Sequence, residues 1–110
     1  MNAFERARDL RQLRFMRSTL QAYESGRSTL PRTIEDLEEL LLSLSDENPV
    51  WREQFRTAWS VLDERYTLLL ERGQGDVDAA STAMTSQAVQ RLTDLVEAEI
   101  ARREGGQFRA

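Results

Sequence analysis

Apolar residues in this 110-residue chain recur at three- and four-residue steps in four stretches, which short polar breaks with glycine or proline separate. That spacing places apolar side chains on one face of an α-helix. No stretch shows the two-residue alternation that is typical of a strand. The sequence therefore predicts an all-α fold in which each helix buries one face against its neighbours.

Start and stop signals give bounds for the four helices. Gly26 ends the first, and Thr33 is expected to be the N-cap of the second. Pro49 suits the first helical position of the third, and Gly73 follows its end. The expected bounds are Ala3–Glu24, Ile34–Ser45, Pro49–Arg72 and a fourth helix from Asp76 or Asp78 to about Arg103.

Short links between the helices predict antiparallel neighbours. The wide apolar arc of the third helix predicts a central place for it in the bundle. Its aromatic row is interpreted as core (Trp51, Phe55, Trp59 and Tyr66), as is a four-step stripe on the fourth helix (Met84, Ala88, Leu92, Val96 and Ile100). We therefore expect a compact antiparallel helical bundle of three long helices and one short one, with a single domain over residues 1–104 and a flexible tail over 105–110.

The chain contains no histidine, cysteine or lysine, and all 15 of its basic residues are arginine. The usual proton shuttle, the thiolate nucleophile and the Schiff-base amine are therefore missing. We predict a binding protein with no catalytic residue, no metal and no cofactor. The net charge of -4 disfavours nucleic acid and anionic membranes as partners. The longest purely apolar run is three leucines, so a cytoplasmic protein is expected.

The charged residues allow two further functional interpretations, a metal site and a phosphate-binding surface. Four carboxylates lie within residues 35–39, and Asp94 and Glu97 are one turn apart, as in helical nucleotide hydrolases that hold a divalent metal. The third helix has no acidic one-turn pair to face them, so a solvated acidic surface is the preferred interpretation. An arginine stripe on the first helix and its loop suggests phosphate binding, but Asp9 interrupts it. The preferred interpretation is that these arginines solvate the outer face or pair with acids of a neighbouring helix. The stripe comprises Arg6, Arg8, Arg11, Arg14, Arg17 and Arg27.

The acidic residues of the second helix give a sharper signal for a binding surface than the patterns above. Six acids and no base lie between Thr33 and Val50, and three of them cluster opposite the leucine stripe of the second helix. Leu42 falls in the middle of that cluster, as an apolar anchor inside a charged rim would. The alternative is that Leu42 packs against another helix. The predicted partner-binding residues are Glu35, Glu38, Glu39, Leu42, Asp46 and Glu47.

The region from Leu30 to Gly73 also carries a recognisable pattern. A short acidic leucine-rich helix precedes a Trp-Arg-x-x-Phe-Arg-x-x-Trp helix, and a Leu-Asp-x-x-Tyr segment and a closing Arg-Gly follow. The pattern resembles that of small all-helical bacterial proteins, some of which resemble immunity proteins of contact-dependent growth inhibition and related polymorphic toxin systems. The matching residues are Trp51, Arg52, Phe55, Arg56, Trp59, Leu62, Asp63, Tyr66, Arg72 and Gly73.

This resemblance implies a cytoplasmic inhibitor that occludes a toxin domain and catalyses nothing itself. An acidic helix fits that role, because nuclease toxins carry basic surfaces for their substrate. The expected partner is thus a basic protein, and the chain is expected to be a monomer or a homodimer. Two alternatives stay open, namely a self-associating helical module and a divalent-metal nucleotide hydrolase.

Overall fold

A computed structural model describes residues 2–45, 48–72 and 79–106 of the chain. Every regular element within those residues is an α-helix, which confirms the predicted all-α bundle. Three helices are long and one is short, as expected. They are α1 (Ala3–Glu24), α2 (Leu30–Ser43), α3 (Pro49–Arg72) and α4 (Ala79–Gly106).

Both ends of α1 lie at the predicted residues. Asn2 is the N-cap, and its Oδ1 accepts a hydrogen bond of 2.8 Å from the backbone N–H of Glu5. Gly26 follows the last turn with a φ of +77°, a left-handed conformation that glycine adopts without a steric penalty. The apolar period and the stop signal at Gly26 were therefore sufficient to place this helix.

The predicted start of α2 is wrong by one turn. Thr29, not Thr33, is the N-cap, and its Oγ1 accepts a hydrogen bond of 3.3 Å from the N–H of Arg32. Pro31 lies in the first turn of α2. Backbone N–H groups there have no acceptor within the helix, so the missing N–H of proline costs no hydrogen bond. Thr33 is buried within the helix, and its hydroxyl donates to the carbonyl oxygen of Thr29 at 2.8 Å.

The bounds predicted for α3 are confirmed, and those for α4 are confirmed in part. Asn48 caps α3, since its Oδ1 accepts from the N–H of Trp51 at 3.3 Å. The described part of α4 begins at Ala79 and runs through to Gly106, three residues past the expected end at Arg103. The expected start at Asp76 or Asp78, the stop at Gly73 and the tail residues 107–110 lie outside the described residues.

The four helices form a ring in which neighbours are antiparallel, as predicted. Helix α1 packs on α2 and α4, and α3 packs on the same two, while the described parts of diagonal helices do not approach within 8 Å between Cα atoms. The indole N–H groups of Trp51 and Trp59 donate to the carbonyls of Leu95 in α4 and Ile34 in α2. The expected central position of α3 is therefore wrong, because α3 has two neighbours like every other helix.

All four helices contribute to the core, and the periodic stripes largely predict it. Trp51 and Phe55 pack with ring centroids 5.2 Å apart, while Trp59 and Tyr66 are partly buried against the core. Met84 is the exception, since its side chain is exposed although it continues the buried stripe of α4. The apolar side chains with no exposed surface are Leu13, Met16, Leu20, Leu37, Phe55, Leu62, Leu92 and Val96.

Candidate functional site

The outer face of α2 carries the acidic residues that the sequence singles out. Leu37 and Leu41 point into the core, and the carbonyl of Ile34 accepts the Trp59 indole N–H at 2.9 Å. These contacts fix the rotation of the helix about its axis. The opposite face is therefore turned to solvent, and Glu35, Glu38, Glu39 and Leu42 are all exposed on it.

Leu42 has 65% of its surface exposed in the middle of this acidic face. It does not pack against another helix, which was the alternative. Within the described parts of the chain, Glu35, Glu38 and Glu39 form no ion pair, and the neighbouring Asp36 lies 3.8 Å from Arg32. The face thus presents three carboxylates whose charge the chain's own arginines leave uncompensated.

A groove between α1 and α2 extends this face. Phe15, 59% exposed, lines it from α1, and Asp36 and Glu39 line it from α2. The groove encloses about 390 Å³. The side-chain amide of Gln12 donates to the hydroxyl of Ser43 at 2.9 Å and links the two helices within it. An aromatic ring and two carboxylates therefore share one concave surface.

Phe15 was not among the predicted site residues. It lies off the apolar stripe of α1, on the side away from Leu13 and Met16, as Leu42 does on α2. The same search for apolar residues off the buried face would have found it. The two exposed apolar side chains and the acids Glu35, Glu38 and Glu39 are called the acidic surface below.

Two predicted site residues, Asp46 and Glu47, lie outside the described residues. The positions on either side of them are firmly held. The N–H of Ser45 donates to Asp9 Oδ1 at 3.3 Å, and its hydroxyl donates to Asp9 Oδ2. The side-chain amide of Asn48 donates to Glu99 Oε1 at 3.2 Å. Ser45 is thereby anchored to α1 and Asn48 to α4.

These anchors belong to a buried cluster of ion pairs at one end of the bundle. Asp9 is 0% exposed and Glu99 is 2% exposed. Arg103 joins them, with Nη1 3.1 Å from Asp9 Oδ2 and Nε 3.1 Å from Glu99 Oε2. Arg102 adds two bonds of 2.8 Å to the Glu99 carboxylate. The buried ion cluster is defined as Asp9, Glu99, Arg102 and Arg103.

The buried ion cluster is interpreted as structural. Each carboxylate accepts from a guanidinium and from the α2–α3 link, so the cluster joins α1, α4 and that link in one hydrogen-bonded network. Buried charges are tolerated when they are paired in this way. The sequence interpretation of Asp9 as a break in an exposed arginine stripe is therefore wrong.

The cluster makes stability depend on pH through Glu99. Burial raises the pKa of its carboxyl, but hydrogen bonds from Arg102 and Arg103 and their positive charges lower it by more. The pKa in the folded protein thus lies below the ordinary value of 4.5. Such a carboxyl stabilises the fold above its unfolded-state pKa, and this contribution is lost as pH falls through the folded-state pKa.

We expect the urea midpoint of Glu99→Gln to fall less steeply than that of the wild type between about pH 6 and about pH 3. Circular dichroism at a series of pH values measures both midpoints. Glu53→Gln, at an exposed position of α3, is the matched control and should follow the wild type. Parallel curves for the wild type and Glu99→Gln would contradict the assigned role of Glu99.

Two arginines of α1 pair with α4, and Arg6 and Arg11 are exposed, in line with the preferred sequence interpretation. Arg14 Nη2 lies 2.9 Å from Glu104 Oε2, and Arg17 Nη1 lies 3.8 Å from Glu97 Oε2. Among the described residues no group of three carboxylates converges as a metal site would require. None of the described helices combines the length and apolar character that crossing a membrane requires.

Comparison with family models, with curated proteins and with solved structures finds no match to this chain. Its own surfaces are therefore the evidence for its function. The acidic surface is the candidate site, because it combines exposed apolar side chains of α1 and α2 with the unpaired carboxylates of α2. The core holds both helices in place.

Proposed function

We propose that this chain is a non-enzymatic binding protein, an immunity protein that neutralises a bacterial toxin by occluding it through the acidic surface. The observation that carries the proposal is Leu42, which is exposed among Glu35, Glu38 and Glu39. The resemblance of residues 30–73 to small all-helical bacterial proteins, some of which resemble immunity proteins, supports the toxin as partner. An inhibitor of this kind needs no reaction of its own.

The apolar part of the surface supplies the contact. Leu42 and Phe15 project from adjacent helices, and burying a side chain of this size is worth about 1.5–3 kcal/mol. Interfaces commonly place such anchors at the centre and polar groups at the rim, where the rim excludes water. The α1–α2 groove beside Phe15 gives the partner a concave surface to fill.

The charged part of the surface supplies selectivity and speed. Unpaired carboxylates attract a positively charged protein before contact and raise the association rate, and they repel acidic proteins. Toxins that cleave nucleic acid carry basic surfaces for the phosphate backbone. An acidic inhibitor that docks on such a surface blocks substrate access and toxin activity together.

We expect Glu38→Arg combined with Glu39→Arg to slow association with the toxin at least tenfold and to weaken its dependence on salt, since charges in the rim act mainly on the association rate. Stopped-flow mixing at several salt concentrations measures both effects. The matched control is Glu53→Arg combined with Asp63→Arg, which changes the net charge equally at exposed positions of α3. If both double variants slowed association equally, overall charge rather than this surface would be responsible.

The function itself is tested with a basic toxin domain, which the proposal predicts in a reading frame next to the one that encodes this chain. Co-expression should restore growth to cells that produce the toxin, and the purified proteins should form a complex with one inhibitor chain per toxin. Leu42→Asp should weaken that complex without changing the helical signal in circular dichroism. Failure of the wild-type chain both to bind and to protect would overturn the proposal.

A further inference from the structure

Helix α3 bonds to the main chain of α2 at two points. Arg52 Nη2 donates to the carbonyl oxygen of Leu44 at 2.8 Å, and Trp59 Nε1 donates to that of Ile34 at 2.9 Å. The two donors are two helical turns apart, so they lie on one face of α3, about 10 Å apart along its axis. Both side chains are partly buried. Because the acceptors are main-chain atoms, these bonds hold the helix itself and not only one of its side chains.

The two contacted carbonyls bracket the α2 part of the acidic surface. They belong to Ile34, near the start of α2, and to Leu44, its C-cap. All the α2 residues of the acidic surface lie between these two positions in the sequence. They are Glu35, Glu38, Glu39 and Leu42. The bonds from α3 therefore determine how this part of the surface is presented to solvent.

Helix α2 gains little stability from its own charges. Glu38 and Glu39 follow Glu35 by three and four positions, a spacing at which like charges destabilise a helix. The sequence of its last turn contains no basic residue to offset the negative end of the helix dipole. The guanidinium of Arg52 brings a positive charge to that end from another helix, in a charge-assisted hydrogen bond to Leu44. The carboxylates that attract a basic partner thus weaken α2, and α3 compensates for this.

Two further residues of the same stretch of α3 provide matched comparisons. Trp51 Nε1 donates to the carbonyl oxygen of Leu95 at 2.8 Å, which is the bond that Trp59 makes, but directed to α4. Arg56 lies one turn after Arg52 and is exposed. The chain therefore carries a second tryptophan and a second arginine on the same helix against which the first two can be tested.

We propose that Arg52 and Trp59 are positioning residues for partner binding, which hold α2 so that the acidic surface is ordered before a partner arrives. The inference rests on the proposed function and adds two residues to it that lie outside the surface. A surface that is ordered in advance binds more tightly, because ordering it during association would cost free energy.

Hydrogen–deuterium exchange of the free chain, followed by mass spectrometry, tests the positioning role without any partner. In Arg52→Met and in Trp59→Phe, the amides of α2 should exchange about two- to tenfold faster relative to those of α4, because each variant removes a bond to α2. Trp51→Phe should have the reverse effect and speed exchange in α4 relative to α2. Arg56→Met removes the same charge as Arg52→Met and should change neither helix.

Affinity for the basic toxin domain from the neighbouring reading frame is the second readout. Arg52→Met and Trp59→Phe should each raise its dissociation constant at least about threefold, whereas Trp51→Phe and Arg56→Met should bind like the wild type. Arg52→Met makes the chain more negative, which by charge alone would favour a basic partner. The expected loss therefore has the opposite sign to the effect of net charge.

Equal acceleration of α2 and α4 in Arg52→Met and Trp59→Phe would show a role in general stability and would overturn the proposal. Unchanged exchange in α2, or unchanged affinity for the toxin domain when α2 exchanges faster, would also overturn it and would leave the proposed function intact. A wild-type chain that does not bind the toxin domain would overturn the proposed function. The positioning role in binding would fall with it, although the exchange experiment would still report whether α3 holds α2.

Discussion

Replacing Asp9 with alanine is expected to lower the free energy of unfolding by about 3–5 kcal/mol, because it removes one of the two buried carboxylates that neutralise Arg103 and the acceptor of the Ser45 donors. Arg103 loses its 3.1 Å contact, and the N–H and hydroxyl of Ser45 lose their acceptor at the same time. Globular domains are stable by only about 5–15 kcal/mol, so the variant should be close to unfolding. Urea denaturation followed by circular dichroism measures the loss.

A second variant separates the broken pair from the lost packing. Asp9→Leu combined with Arg103→Met removes both charges and keeps apolar volume, so it should recover part of the stability that Asp9→Ala loses. Ser45 still lacks its Asp9 acceptor, and Glu99 keeps only Arg102 as its guanidinium partner. An exposed position gives the baseline, and Asp63→Ala should change the free energy of unfolding by less than about 0.5 kcal/mol. If Asp9→Ala behaved like Asp63→Ala, the buried ion cluster would have no role in stability.

Phe55→Ala should cost about 3–5 kcal/mol through the cavity that it leaves. Phe55 has no exposed surface and packs against the Trp51 ring, so its loss also changes the surroundings of that indole. The urea midpoint measures the destabilisation, and tryptophan fluorescence reports the change near Trp51. Phe15→Ala is the matched control, since the same substitution at a mostly exposed position should cost less than about 0.5 kcal/mol. Equal losses at the two phenylalanines would contradict the assigned core.

Local signals predicted the end of α1 and the start of α3. Gly26 suits the residue after a last helical turn, and Pro49 suits the first helical position. Asn48 caps α3 directly before Pro49, where the start was predicted, whereas the Asn2 cap of α1 was not predicted.

The start of α2 was misplaced because both Thr29 and Thr33 can act as the N-cap. Thr29 is the cap although Pro31 follows it, since the first turn of a helix tolerates proline. A choice between two good caps depends on which residues the core buries, and Thr33 lies among those.

The buried ion cluster was missed although its signal is present in the sequence. Asp9 precedes Leu13 by four positions and Met16 by seven, and Glu99 follows Leu95 by four, so both acids lie in the middle of apolar stripes. An acid in such a position is rarely buried unless a partner neutralises it. Its partner, Arg103, lies 94 positions from Asp9, and only tertiary structure brings the two together.

The acidic surface and the exposed Met84 show where periodicity suffices and where it fails. The position of Leu42 opposite the leucine stripe correctly predicted that it faces solvent, because that depends on the rotation of a single helix. Met84 lies on the predicted buried stripe and is exposed nonetheless. Periodicity gives the direction of a side chain, whereas the lengths of neighbouring helices decide whether anything covers it.

The ring arrangement has an evolutionary consequence. Within the described residues, no Cα atoms of diagonal helices lie within 8 Å of each other, and the groove between α1 and α2 shares no residue with the groove on the outer side of α3 and α4. Substitutions on the outer faces of α1 and α2 can therefore change the acidic surface while the groove of α3 and α4 stays as it is. Related sequences with this fold can therefore vary on one side of the bundle without compensating substitutions on the opposite side.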